Sequence, residues 1–171
     1  MKRNLIALAA LGLFAFGCSE SPTETQADLD ASPEFAARGP VMHRVSLGGA
    51  DICAGIGLPP GCDANNSFIA IEYADGSVSG QWHDQWAGGV GVHTAISCLA
   101  VDGNDAWVSG TVTNAPFAGA NVMIRVRDNG NSANDPGDEA SFLVGTGSPD
   151  DCLNKPDMAL LALTNGQVTV K

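Results

Sequence analysis

A β-hairpin is predicted by the stretch Ser67-Phe68-Ile69-Ala70-Ile71-Glu72-Tyr73-Ala74-Asp75-Gly76-Ser77-Val78-Ser79-Gly80-Gln81-Trp82. Its first seven residues are rich in Phe, Ile and Tyr, which favour strands, and the Asp-Gly pair is the signal for a two-residue hairpin turn. We place the return strand at residues 77–86. One face of it carries Val78, Gly80, Trp82 and Trp86, and the other carries Ser79, Gln81, His83 and Gln85. This alternation, broken only by Asp84, is typical of a strand with one face in a core.

Further short β-branched segments follow along the chain and are separated by turn signals. We predict strands at residues 90–101, 106–113, 121–127, 141–145 and 168–170, and residues 157–163 as either a strand or one helical turn. In the first of these strands, Val90, Val92, Ile96 and Cys98 are expected to share one face. Hairpins join most of the strands. The sequence therefore predicts an all-β fold, a single antiparallel β-sandwich or partly closed barrel of about eight strands, stapled by disulfides.

The first 17 residues have the layout of a secretory signal peptide. Lys2 and Arg3 supply positive charge, residues 5–16 are apolar, and Gly17 is small. The apolar run is shorter than the about 20 residues that span a bilayer. A buried core helix is the alternative, but the charged start and the polar sequence that follows fit it poorly. We therefore predict export and cleavage before Cys18.

The residues at the cut, Ala15-Phe16-Gly17-Cys18, resemble the lipobox of bacterial lipoproteins. Gly17 and Cys18 match that motif, whereas Ala15 replaces the usual Leu and Phe16 is bulkier than the usual small residue. The resemblance implies that Cys18 is acylated and that the membrane is a partner through this lipid. Ser19 implies sorting to an outer membrane. The same residues also read as an ordinary small-x-small cleavage site, which would release the protein free.

Between the signal peptide and the first apolar segments lies a polar stretch. Residues 18–40 are rich in Ser, Thr, Glu, Asp, Ala and Pro, with Leu29 and Phe35 as the larger apolar side chains. Such composition does not support a packed core, so we predict a disordered tether. Residues 41–171 then form one β domain, because about 130 residues suit a single domain.

The cysteine count bears on both the anchor and the domain. The five cysteines are Cys18, Cys53, Cys62, Cys98 and Cys152. An odd number in an exported protein leaves one thiol to explain. Acylation of Cys18 would leave four, enough for two disulfides in an oxidising compartment. Of the three pairings we favour Cys53–Cys62 as a local link and Cys98–Cys152 as a long-range one, and the absence of Cys-x-x-Cys disfavours zinc.

The charge balance is acidic, with a formal net charge of −11 for the whole chain. Loss of Lys2 and Arg3 with the signal peptide makes the mature chain more acidic still. Nucleic acid is therefore excluded as a partner, because its backbone requires basic side chains. Anionic lipid head groups are disfavoured for the same reason. A solvated surface is the favoured interpretation, and recruitment of cations is the alternative.

A second acidic feature is the loop at residues 128–139, which concentrates the oxygen ligands that Ca²⁺ prefers. The candidate calcium ligands are Asp128, Asn129, Asp135, Asp138 and Glu139. An EF-hand is rejected, because Gly130 replaces a ligand and Ala133 occupies the place of the required Gly. A calcium site outside that pattern stays open beside the favoured interpretation, a solvated turn held by Asx hydrogen bonds.

Histidine and tryptophan side chains are the other candidates for ligand contacts. His83 and His93 lie on neighbouring predicted strands, which a meander would bring together. A transition-metal pair is one interpretation, and ordinary surface histidines are the favoured one. Trp82 and Trp86 share an apolar face and are predicted to lie in the core. Trp107 alternates with Ser and Thr, so we predict that it lies on the surface and contacts a ligand.

No pattern of nucleophilic or metal-assisted hydrolysis appears in the sequence. The segment Gly76-Ser77-Val78-Ser79-Gly80 has Val where a nucleophile elbow needs Ser, and neither His-Glu-x-x-His nor a phosphate loop occurs. No pair of carboxylates stands out as an acid and a base. We therefore predict a protein that is not an enzyme and that takes no cofactor apart from the calcium considered above.

Three segments, residues 75–82, 98–110 and 126–130, are together similar to a group of secreted bacterial β-rich domains of unassigned function. The similarity covers about residues 43–170 and implies a single secreted β domain, without carrying over any catalytic residue. We therefore expect an exported, lipid-anchored protein of the cell envelope whose β domain binds a ligand or has a structural role. The alternatives are a calcium-stabilised domain that binds carbohydrate and a hydrolase whose site the sequence does not reveal.

Overall fold

The computed structural model describes residues 38–59, 63–86, 89, 91–131 and 135–171. The predicted signal peptide, Cys18 and residues 18–37 of the predicted tether lie outside the described residues. The strands are β1 (Val41–Asp51), β2 (Asp63–Tyr73), β3 (Val78–Trp86), β4 (Val92–Asp102), β5 (Asp105–Val112), β6 (Asn121–Arg127), β7 (Glu139–Ala140), β8 (Val144–Thr146), β9 (Leu161–Ala162) and β10 (Asn165–Val170). Two short 3₁₀ helices, η1 (Cys53–Ile56) and η2 (Asp151–Asn154), complete the elements. No helix in the described part of the chain is long and apolar enough to cross a membrane.

All ten strands belong to one antiparallel sheet, in the order β10-β1-β2-β3-β4-β5-β6-β7-β9, with β8 also paired to β6. The sheet curls into a half-barrel. The predicted all-β fold is confirmed, and of its two forms the partly closed barrel is the correct one. The described strands number ten rather than about eight, because the prediction missed β1 and because β7 and β8 replace the single strand expected at residues 141–145.

The predicted hairpin is present as β2 and β3, but its loop is one residue longer than expected. The backbone N–H of Tyr73 donates to the carbonyl of Ser77, and the N–H of Gly76 donates back to the carbonyl of Tyr73, each at 2.9 Å. Gly76 has a φ of 81°, which glycine adopts at little cost in a three-residue loop of this kind. The side-chain and backbone hydrogen bonds from Ser77 lower the pKa of Asp75 in the loop.

The inner face of the half-barrel holds the main core. It gathers buried apolar side chains from most of the strands: Val45, Leu47, Phe68, Ala70, Trp82, Ile96, Leu99, Ala106, Val108, Val112, Val122, Ile124, Val126 and Val168. Trp82 confirms the predicted core position, with 1% of its surface exposed. Its indole N–H donates to Oδ1 of buried Asn66 at 2.9 Å, and its ring meets Phe68 edge-on at 6.3 Å. The polar N–H of the indole therefore has an acceptor, and the apolar ring packs in the core.

Two glycines in this core mark places where neighbouring strands come very close. Gly80 of β3 and Gly110 of β5 lie on either side of Ile96 in β4. A β-carbon on either glycine would lie 2.1 Å from a backbone carbonyl oxygen of the adjacent strand. No side chain fits at that distance, so the curvature of the sheet depends on glycine at these two positions.

A β-bulge in β4 directs Cys98 to the outer face of the sheet. The register with β5 shifts between Ile96 and Cys98, so that Ser97 is an extra residue. The expectation that Cys98 shares a face with Ile96 is therefore wrong. A second buried cluster forms on the outer face from Cys98, Ala100, Trp107, Met123 and Cys152. Residues 147–158, which we term the covering segment, lie over it.

One of the two predicted disulfides is described in full. Cys98 and Cys152 are bonded, with their Cα atoms 6.1 Å apart and a sequence separation of 54, which confirms the predicted long-range link. Cys53 is buried and disulfide-bonded. Its predicted partner, Cys62, lies outside the described residues.

The free edge of β10 is bonded to side chains rather than to another strand. One edge of β10 pairs with β1. On the other edge, the backbone N–H of Val168 donates to Oδ2 of Asp138 at 2.7 Å, and that of Val170 donates to Oδ2 of Asp128 at 3.0 Å. Two carboxylates of the loop after β6 therefore join β10 to the far side of the sheet.

Candidate functional site: a groove on the outer face of the sheet

An open groove of about 950 Å³ lies on the outer face of β2, β3 and β4. Strand alternation places the side chains that line it, since every second residue of each strand points away from the core. The antiparallel register then aligns them in two rows across the strands. One row consists of Ile69, Gln81 and Ala95, and the other of Ser67, His83 and His93.

The groove is uncharged in a strongly acidic protein. Its lining combines serine, threonine, asparagine, glutamine and histidine with glycine, alanine, leucine, isoleucine, phenylalanine and tryptophan, and it includes no Asp, Glu, Lys or Arg. Ile69 is 45% exposed, although it is a large apolar side chain. A surface that offers apolar contact and neutral hydrogen-bonding groups favours an uncharged organic ligand over a charged organic one, because the charge of that ligand would find no counter-charge in the lining.

The two histidines meet in this groove, as the meander predicted. The rings of His83 and His93 stack with their centroids 4.4 Å apart and their planes inclined by 26°. The two residues are direct partners in the pairing of β3 with β4. The predicted proximity is therefore confirmed, and it places two imidazoles side by side in the lining.

Asn114, just beyond β5, is a site residue that sequence reasoning missed. Its Oδ1 accepts from the backbone N–H of His93 at 2.8 Å, and its Nδ2 donates to the carbonyl of Gly91 at 2.6 Å. The carboxamide thus holds the start of β4 in place beside the groove. The sequence signal for this role is an Asn at the start of the Asn114-Ala115-Pro116 turn, where such side chains commonly bond to nearby backbone.

The expectation that Trp107 lies on the surface is wrong. Only 6% of this residue is exposed, and its indole N–H donates to the carbonyl of Pro156 at 2.8 Å. The guanidinium of Arg125 lies 5.0 Å from the ring centroid. The physical reason is the covering segment, which buries the outer face of β5, so that the strand is buried on both sides. Trp107 is therefore part of the second cluster and not of the groove.

The candidate calcium ligands are divided among different structural contacts. Asp138 is buried and accepts hydrogen bonds from the backbone N–H groups of Asn129 and Val168, while Asp128 accepts from β10 and from Gly130. The carboxylate of Glu139 instead faces Arg127 at 3.5 Å.

Of the two remaining candidates, Asn129 donates through Nδ2 to the carbonyl of Gly137 at 2.8 Å, and Asp135 is exposed. Among the described residues, no group of three or more His, Cys, Asp or Glu side chains is placed to hold a metal ion. Residues 132–134 of the loop lie outside the described residues.

Next to the second cluster, Asp105 joins two arginines of β6. Its carboxylate lies 3.1 Å from Nε of Arg125 and 3.0 Å from Nη2 of Arg127. The hydrogen bonds that the guanidinium of Arg127 donates to the carboxylate of Asp105 raise the pKa of Arg127 above its ordinary value. These charges are paired with one another and lie outside the groove lining.

Comparison of the chain with protein-family models, with curated proteins and with solved structures gives no significant match. Function is therefore inferred from two features of this chain alone. One is the uncharged groove with its pair of imidazoles, and the other is the N-terminal sequence that ends at Cys18.

Proposed function

We propose that this chain is an exported, lipid-anchored protein of the cell envelope, and that its half-barrel domain binds an uncharged ligand in the groove without catalysing a reaction. The groove is the observation that carries the proposal of binding. Its volume of about 950 Å³ is in the range of pockets that take small organic ligands. Its lining offers hydrogen bonds and apolar contact but no charge.

The proposal of a non-enzymatic role rests on the composition of the lining. Carboxylates, thiols and amines, which commonly serve as acid, base or nucleophile, are absent from the residues that line the groove. The imidazoles of His83 and His93 are the groups of the lining that can act as an acid or a base. Binding therefore accounts for the groove without a further reacting group.

The proposal of export and anchoring is supported by the residues before Cys18 and by the cysteine chemistry. A disulfide between Cys98 and Cys152 suits an oxidising compartment outside the cytosol. The resemblance of Ala15-Phe16-Gly17-Cys18 to a lipobox supports acylation of the remaining cysteine. Each buried methylene of an acyl chain contributes about 0.8 kcal/mol to membrane binding, so several chains would hold the domain at the membrane.

The binding proposal is tested with small neutral probes. We expect uncharged fragments, such as amides, alcohols and monosaccharides, to shift the ¹H–¹⁵N resonances of Ile69, Gln81 and Ala95, and carboxylate or amine analogues not to do so. The Ile69→Lys variant should lose these shifts, because it places a charge in the groove. Val144→Lys is the matched control, since Val144 is an exposed strand residue outside the groove lining. Fragment shifts that fall elsewhere, or that persist in Ile69→Lys, would overturn the proposal.

The anchoring proposal is tested by the intact mass of the protein purified from the membranes of its native host. We expect the mature chain to begin at Cys18 and to carry the added mass of acyl chains. The Cys18→Ser variant should appear in the soluble fraction with its signal peptide retained or cleaved by another peptidase. An unacylated N-terminus in the wild-type protein would refute anchoring and leave the free, secreted form.

A further inference from the structure

The backbone around His93 shows which kind of cross-strand pair the two histidines form. The N–H of His93 donates to Asn114 and its carbonyl accepts from the N–H of Thr113 at 2.7 Å. Both groups thus point towards β5 and away from β3. His83 and His93 are therefore a non-hydrogen-bonded pair, the class of antiparallel pair in which the Cα atoms are about 4.5 Å apart and the side chains lie closest.

This pairing brings two metal-binding groups to one point of the groove. Imidazole nitrogen binds divalent transition-metal ions at about 2.0–2.1 Å. The rings stack with centroids 4.4 Å apart and planes inclined by 26°. Because imidazole lone pairs lie in the ring plane, both side chains rotate out of this stack to direct one nitrogen each at a common ion. Both rings line the open groove, so the ion has a path from solvent and room for further ligands.

We propose that His83 and His93 form a two-imidazole site for a divalent transition-metal ion on the wall of the groove, with water in the remaining coordination positions. Imidazole suits copper, nickel and zinc, and among first-row divalent ions Cu²⁺ binds such ligands most tightly. Calcium and magnesium are disfavoured at this place, because they require oxygen ligands and the lining has no carboxylate. The site is independent of the uncharged ligand proposed for the groove.

The class of site follows from the number of protein ligands. Structural zinc sites are closed by four side chains, and the described residues offer no group of even three that could hold a metal. Two imidazoles leave most of the coordination sphere to solvent. The ion is therefore exchangeable, and it presents open positions towards the groove rather than holding the fold together.

Asn114 and Thr113 are positioning residues for this site. The carboxamide of Asn114 and the hydroxyl of Thr113, which donates to the carbonyl of His93 at 3.1 Å, both bind the backbone of His93. Both contacts hold the backbone of His93 on its edge that faces away from His83. These contacts limit the movement of the backbone that carries the His93 side chain.

The test uses Cu²⁺ alone, titrated calorimetrically into the full-length chain. We expect one ion per chain at this site and an electron paramagnetic resonance spectrum with splitting from two imidazole nitrogens. His83→Gln and His93→Gln should each weaken binding by at least about tenfold, the loss seen when even an outer contact of a metal site is removed. His43→Gln is the matched control, because His43 is the third histidine of the chain and lies on β1. It should leave Cu²⁺ binding unchanged.

The double variant His83→Gln/His93→Gln decides whether both rings hold the same ion. Removal of the second ligand should add little to the loss from the first, since residues that act together are not additive. Additive losses, or an equal loss in His43→Gln, would overturn the proposal. If a variant does not fold, paramagnetic broadening in the wild-type protein gives the answer. Broadening centred on His83 and His93 supports the site, and broadening centred elsewhere refutes it.

The outcome is separable from that of the proposed function. Fragment binding is measured without metal, and copper binding is measured without a fragment. Loss of copper binding in the histidine variants with intact fragment shifts at Ile69 would leave the groove proposal standing. Copper binding without any fragment shifts would leave the metal site standing alone.

Discussion

Replacement of Trp82 by alanine is expected to lower the free energy of unfolding by about 3–5 kcal/mol, the range for deletion of a buried aromatic side chain. Trp82 is among the largest fully buried side chains of the described residues. Its loss opens a cavity beside Phe68 and also leaves Oδ1 of Asn66 without the indole N–H that it accepts from. Urea denaturation followed by circular dichroism measures the change.

Two further variants separate the contributions at this position. Trp82→Phe retains an aromatic ring but deletes the indole N–H, so we expect a loss of about 1–3 kcal/mol, the cost of an unsatisfied buried acceptor. Ile69→Ala changes an exposed side chain on the neighbouring strand and should cost less than about 1 kcal/mol. An effect of Trp82→Ala no larger than that of Ile69→Ala would contradict the assignment of Trp82 to the core.

Removal of the Cys98–Cys152 disulfide is the second change with a large expected effect. The double variant Cys98→Ala/Cys152→Ala should lose about 4 kcal/mol, as loop-closure entropy predicts for a link across 54 positions. The unfolded chain gains most of this freedom, while the folded chain keeps its other contacts. Chemical denaturation of the variant and of the oxidised wild type measures the difference.

The same variant tests whether the covering segment depends on the disulfide. The carbonyl of Pro149 accepts from the hydroxyl of Ser109, and that of Pro156 accepts from Trp107. If these contacts hold the segment alone, the indole ¹H–¹⁵N resonance of Trp107 in the folded variant keeps its wild-type position. Loss of that position before global unfolding would show that the segment detaches locally. A stability loss below about 1 kcal/mol would contradict the expected role of the link.

Strand alternation explains why much of the sheet could be predicted from the sequence. The β2–β3 hairpin and the strand at residues 121–127 both place apolar side chains on one face, and both were found at the predicted positions. The proximity of His83 and His93 followed from the same alternation once a meander was assumed. These features depend on local sequence, so a local pattern is sufficient to find them.

Long-range contacts account for what the sequence did not reveal. Strand β1 contains Gly48 and Gly49, which weaken its apolar pattern, and it is held by pairing with β2 and β10. The outward turn of Cys98 depends on a bulge that alternation does not encode. Trp107 is buried by the covering segment, in which Pro156 follows it by 49 positions. The Ser and Thr residues on the same strand had indicated a face exposed to solvent.

Long-range contacts also explain why the groove was only partly predicted from the sequence. The polar side chains that β3 contributes to the groove, Ser79, Gln81 and His83, were visible on the predicted return strand. The apolar contribution of Ile69 was assigned no role, because an isolated strand does not show which of its two faces the sheet will cover. Asn114 was missed since its two partners, Gly91 and His93, are more than twenty residues earlier in the chain.

The carboxylates of Asp128 and Asp138 have a consequence for self-association. An unpaired edge strand offers a row of backbone donors on which a strand from another molecule can add, and this is a common route to fibrils. In β10 the N–H groups of Val168 and Val170, on the edge that faces away from β1, are already bonded within the chain. The opposite end of the sheet is β9, which is only two residues long. Neither of these two ends therefore gives a strand from a second copy a long template.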